Sequence, residues 1–244
     1  VQTYMGITVV LAFRNWTGDS IWTLEGYGLP FWDVPGVTSV SDLEDPDKMA
    51  LMAQYSNERR GQGDCAANLS ATSQVANAYL WTGESNYRSW VKRYVDAWVD
   101  RVAANGGILP DNVGLSGLIG EHIDGKWFGG NYGWTWPHGW RNLGWSSCIA
   151  AENMGLLFQD LSYLNLPRGQ IDLLMSLAIE QDGTLYCPRK RGDAGLVNYT
   201  PFHWENVLRN PDDTALEVDG WFEFMPMGPI HMAHVWNMSQ APAD

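Results

Sequence analysis

The strongest constraint on this chain is a helical hairpin that occurs twice. Tyr87, Trp90, Val91, Tyr94, Val95, Trp98, Val99 and Val102 keep the i, i+3, i+4, i+7 spacing of an amphipathic helix. Lys92, Arg93, Asp96, Asp100 and Arg101 fill its other face. Just upstream, Ala67–Trp81 reads as a second helix, with Ala71, Val75, Ala78 and Tyr79 on one stripe. The junction Thr82-Gly83-Glu84-Ser85 supplies a glycine to end one helix and a polar cap to start the next. Shifted without a gap, the pattern reappears: Asn77–Leu80 lies over Asn153–Leu156, Glu84 over Asp160, Tyr87 over Tyr163, Trp98 over Leu174 and Gly107 over Gly183. One hairpin cannot bury its apolar stripe alone, so repeated hairpins are expected to stack. Asp45–Arg60 predicts a further helix, with Asp45 as cap and Pro46 in the first turn. The flanks, Val1–Val40 and Val197–Asp244, are rich in Gly, Pro and aromatic residues. The first reads as irregular or short strands, the second as irregular with at most one short helix near Asp213–Phe224.

The connection after the first hairpin, Asn105–Trp145, is too rich in Gly and aromatic residues for a helix and too long for an ordinary loop. Trp127, Trp134, Trp136, Trp140 and Trp145 need something to pack on, which argues against disorder. Asp111, Glu121, His122, Asp124, Lys126, Tyr132, His138 and Arg141 are interleaved with them. Flat apolar rings beside hydrogen-bonding groups suit a sugar, whose C–H face stacks while its hydroxyls are taken at the edge. The segment is the expected working site.

Composition narrows the partners. A chain of 244 residues with 45% hydrophobic residues can bury a substantial core. Fourteen Trp favour a binding surface. A net charge of −13 argues against nucleic acid, and requires a locally basic groove for any polyanionic substrate. Cys65, Cys148 and Cys187 are widely spaced, which gives neither a zinc knuckle nor a disulfide framework. No stretch is apolar enough to span a membrane. Four N-x-[ST] tripeptides, at Asn15, Asn68, Asn198 and Asn237, hint at a secreted or periplasmic location.

The run Ala76–Trp90, with its Thr82-Gly83-Glu84-x-x-Tyr87 turn and its repeat in register, resembles the hairpins of α/α-toroid carbohydrate-active enzymes. These include polysaccharide lyases, unsaturated-glucuronyl hydrolases and six-hairpin glycosidases. The resemblance implies a mainly α fold of stacked helical hairpins, an (α/α) toroid with long Gly/Trp-rich loops. The chain is too short to close a full ring. It is therefore expected to be a single toroid-like domain over residues 1–244, either incomplete or a piece of a longer protein.

Three chemistries compete for the loop. β-Elimination on a uronic acid needs a group that neutralises the carboxylate, a base for the C5 proton and an acid for the leaving oxygen. His138 and Tyr132 are the expected base and acid. Asn131 or Arg141 would hold the carboxylate, and Trp127, Trp134, Trp136, Trp140, Lys126 and Arg189 would line the substrate groove. Glycoside hydrolysis by paired carboxylates is the alternative, with Glu121 as acid and Asp111, Asp124, Glu205 and Asp219 as further candidates. A non-catalytic carbohydrate-binding domain is the third. A polysaccharide or oligosaccharide is the partner in each case. No cofactor is expected, because the chain has no P-loop or dinucleotide fingerprint. A zinc site from His203, His231 and His234 is disfavoured by the absence of a fixed motif.

Overall fold

A computed structural model describes residues 34–38, 40–136, 138–195 and 206–242. Most of Val1–Val40, and with it Asn15, lies outside these residues, as do Asn198, His203 and Glu205. The helices arise where the periodicity predicts them. Helix α1 (Pro46–Gly61) begins at Asp45, whose carboxylate accepts from the amides of Asp47 and Lys48 at 2.9 and 3.4 Å. Helices α2 (Thr72–Thr82) and α3 (Ser85–Ala104) form the first hairpin. Gly83 ends α2 in the left-handed region, φ 73°, and donates its N–H to the Tyr79 carbonyl at 2.8 Å. A 3-10 turn, Ala66–Ala71, leads into α2 where a continuous helix is expected.

Helix α4 (Trp140–Phe158) is the centre of the molecule. It is buried nearly all round, through Leu143, Ser147, Ala150, Ala151, Met154 and Leu157 among others, as a helix enclosed by others must be. It packs on α2, on α3 through the Val91, Val95 and Trp98 stripe, on α5 (Asn165–Ser176) and on α6 (Ile230–Ser239). Buried polar groups bind these elements together. The Asn153 amide donates to the Thr72 and Ser73 hydroxyls, at 2.9 and 3.1 Å. Gln170 of α5 accepts from Leu109 N and donates to the Gly107 carbonyl, both at 2.8 Å.

The mainly-α toroid is overturned by three small antiparallel sheets, which make the fold mixed α/β rather than a stack of hairpins. Strand β1 (Gly63–Cys65) pairs with β2 (Asn112–Gly114), joining Asp64 to Val113 and Cys65 to Asn112. Strands β3 (Ile179–Gln181) and β4 (Thr184–Cys187) form a hairpin, and β4 also pairs with β8 (Met225–Pro226). Between β5 (Lys190–Arg191) and β6 (Glu217–Val218) lies β7 (Trp221–Phe222). The cause is turn chemistry. Asp182-Gly183 and Asp219-Gly220 both have positive φ, and each closes a two-residue β-hairpin. The chain therefore turns back after α5 instead of building another helix. The short helix expected near Asp213–Phe224 is replaced by β6 and β7, and a helix forms later, at α6. Ile179, three residues beyond the end of α5, belongs to β3.

Met154 is fully buried in the central helix, whereas the Trp81 ring is 91% exposed at the end of α2. Met154→Ala is expected to lower the free energy of unfolding by about 2–5 kcal/mol, and Trp81→Ala by less than about 0.5 kcal/mol. Urea denaturation measures both, and equal losses would contradict the central place of α4.

Candidate functional site

The long segment after α3 is held by one carboxylate. Asp111 is wholly buried. Its Oδ2 accepts from the amides of Gly129 and Trp134 at 3.0 and 2.8 Å, and its Oδ1 from Gly130 N at 2.8 Å and Asn112 Nδ2 at 3.0 Å. Burial pushes its carboxyl up, against four N–H donors that hold it down. Two glycines make the approach possible. A Cβ at Gly130 would come within 2.8 Å of Asp111 Oδ1, and a Cβ at Gly133 would overlap the carboxylate itself. Asp111, a candidate carboxylate for hydrolysis, has no surface with which to touch a substrate.

The same geometry settles the tryptophans. Trp134 is 0% exposed and donates from Nε1 to the Leu109 carbonyl at 2.7 Å. Trp136 is buried with Val34, Val37, Leu43 and Met52, and Trp140 is buried under Trp134. Trp127 is half-buried and packs edge-on to Phe128 and Trp134. Of the expected sugar platform, Trp134 and Trp136 are core, and Trp127 is half-buried. Wide apolar rings on a glycine-rich segment found each other before they found solvent.

What the segment offers to solvent is a polar cleft of about 180 Å³. It is walled by β1 and β2, by the turn that follows β1, and by residues 122–132, and it carries Asp64, Asn68, Asn112, His122, Asn131 and Tyr132. Asp64 is fixed from three sides: its Oδ1 accepts from Cys65 N at 2.9 Å and Asn68 Nδ2 at 2.6 Å, and its Oδ2 from the Tyr94 hydroxyl of α3 at 2.6 Å. Tyr132 is 40% exposed, with its ring tilted against Trp136. Its φ of 55° puts a bulky residue in the left-handed region, a strain of order 1–3 kcal/mol of the kind that collects at functional sites. Cys65 also lines the cleft, but burial and the neighbouring Asp64 push its thiol up to about 11, so it is no thiolate nucleophile.

The expected site residues thus divide. Asn131 and Tyr132 line the polar cleft. Trp140, Arg141 and Arg189 line a second cleft, beside the start of α4. His138 lines neither. It sits close to Arg141, Arg189 and Lys190, and burial followed by these cations pulls its imidazole down to about 4. Lys126 pairs with Asp193 at 2.5 Å and is taken up by that contact. Glu121 accepts from Ser116 N and Oγ, at 3.1 and 2.6 Å, which holds its carboxyl below the usual range. A general acid needs the opposite shift. His234 is paired with Glu152 at 2.5 Å, and among the described residues no three His, Cys, Asp or Glu side chains gather to hold a metal.

Three cleft residues, Asp64, Asn68 and Asn112, have no site role in the sequence reading, and His122 stands there in the working segment without one. Asp64 and Asn68 lie before the first hairpin, far along the chain from the aromatic segment, and only the β1–β2 pairing brings them to it. His122 stands inside that segment, but ordinary spacing did not distinguish it from Glu121.

A family model described as a domain of unknown function (DUF8034) matches residues 8–244, so the chain belongs to that family. No curated protein and no solved structure matches it.

His231, buried, and His138, half-buried, give the protein a measurable pH response. Burial pulls both His138 and His231 from 6.5 down to about 4. The unfolded chain takes protons on these rings below about pH 6.5, while the folded protein resists until about 4, so stability is full above that window and falls as pH drops through it. In urea titrations, His231→Gln is expected to shrink the stability difference between about pH 7 and about pH 5. A difference as large as in the parent protein would contradict a neutral, buried His231.

Proposed function

We propose that this member of a family of unknown function is a carbohydrate-active enzyme that works in the polar cleft, cleaving a uronic-acid-containing glycan by β-elimination. The observation that carries the reading is the meeting of Asn131, Tyr132 and His122 on one cleft wall system with the amides of Asn68 and Asn112. Membership of the family assigns no reaction, so the argument rests on these side chains.

Each role follows from chemistry. Asn131 donates amide hydrogens to the uronate carboxylate, which disperses its charge and makes the C5 proton acidic. His122, the imidazole among the described lining residues, takes that proton. The electron pair forms the C4–C5 double bond and the C4–O bond breaks. Tyr132 delivers its hydroxyl proton to the departing oxygen. Asp64, already held by three donors, accepts from sugar hydroxyls. His122 replaces His138 as the base because it shares a cleft with Tyr132. Two-carboxylate hydrolysis is less well served, since Asp64 is the only carboxylate among the described lining residues.

The test is incubation with a panel of uronans while new near-ultraviolet absorbance from an unsaturated sugar end is followed. The expected result is such a product, with His122→Ala and Tyr132→Phe each lowering kcat by about 100-fold or more. Full turnover in both variants, or products that lack the unsaturated ring, would overturn the assignment.

A further inference from the structure

The second cleft, of about 330 Å³, opens between the start of α4, the end of β4 and the start of α6. Its walls include Trp140, Trp145, Arg141, Arg189, Met225 and His231. Among the described residues no carboxylate lines it. The acid beneath, Glu223, is buried, 3.2 Å from Lys190 and 4.0 Å from Arg189, so one carboxylate faces two cations. Arg141 is exposed and has no ion-pair partner among the described residues. The positive end of α4 adds to this field: Trp140 and Arg141 are its first residues, and Gly139 brings no side-chain cap. A concentration of cations like this is exceptional in a chain of net charge −13.

The apolar side of the cleft is equally specific. The His231 ring lies 5.0 Å from that of Trp140 and 5.7 Å from that of Trp145. Its Nε2 is buried without a hydrogen-bond partner. Trp145 is half-buried, with its ring edge-on to those of His231 and His234, and it lines the cleft together with Met225. A guanidinium matches a carboxylate in plane and in hydrogen-bond direction, and a second guanidinium nearby multiplies that preference.

We propose that this cleft binds a small organic acid, whose carboxylate is taken by Arg141 and Arg189 and whose flat ring lies against Trp145 and Met225. Arg141 brings an exposed guanidinium, while Arg189 shares the buried Glu223 with Lys190 and donates to Met225 Sδ at 3.1 Å. The site is separate from the polar cleft and does not depend on what reaction occurs there.

The whole chain is titrated with sodium benzoate, sodium 2-naphthoate and inorganic phosphate, followed by tryptophan fluorescence and by calorimetry. Saturable binding of at least one ring-bearing acid is expected, tighter than that of phosphate and weakened by added salt. R141Q, at an exposed position, should weaken that binding by at least about tenfold, and R189K should weaken it too by removing the planar fork. Y132F should bind as the parent does. Failure of both ring-bearing acids to saturate, phosphate binding as tight as theirs, or unchanged affinity in R141Q would each overturn the proposal.

Discussion

A single buried carboxylate organises the part of this protein that matters for function. Removing Asp111 from water costs several kcal/mol. Four N–H donors offset that cost, each charged hydrogen bond contributing about 1.5–3 kcal/mol. The result is directional. Amides at 129, 130 and 134 converge on two oxygens, so the chain between them can take few shapes. Gly130 and Gly133 are required there because a side chain at either would occupy the space of the carboxylate or its neighbour. Tyr132, placed between them, inherits its left-handed backbone from this geometry.

Two clefts follow from the same arrangement. Trp134 is the anchor, hydrogen-bonded to Leu109 and stacked on Trp140. Residues before it face β1 and contribute Asn131 and Tyr132 to the polar cleft. Residues after it enter α4 and contribute Trp140 and Arg141 to the basic one. The helices behind serve as a fixed wall: Gln170 holds the start of the segment, and Tyr94 reaches from α3 to orient Asp64. The two faces differ in electrostatics as well as in shape, one rich in amides and the other in guanidiniums.

Much of the helical frame was legible in the sequence, because four turns of regular apolar spacing, a left-handed Gly83 and an Asp45-Pro46 start are local signals. The sheets were harder only in part. Asp182-Gly183 and Asp219-Gly220 are strong hairpin turns, but they stand between strands of two to four residues, too short to show alternation. The aromatic segment stands out in the sequence, yet Trp134, Trp136 and Trp140 are buried, while Trp127 and Trp145 are only half-buried. Sequence spacing cannot tell a ring that binds a ligand from one that seals a glycine-rich fold. The cleft partners Asp64 and Asn68 were invisible for a different reason: they reach the site through a strand pairing of only three residues.

The central claim, that Asp111 holds the functional segment in place, is tested most directly by amide hydrogen exchange in Asp111→Asn. This change keeps the side-chain shape but replaces one acceptor oxygen with a donor. The account predicts that the amides of Gly129, Gly130 and Trp134 lose protection while those of Val91, Val95 and Trp98 in α3 keep theirs. Unchanged protection at the three loop amides, or an equal loss in α3, would contradict it.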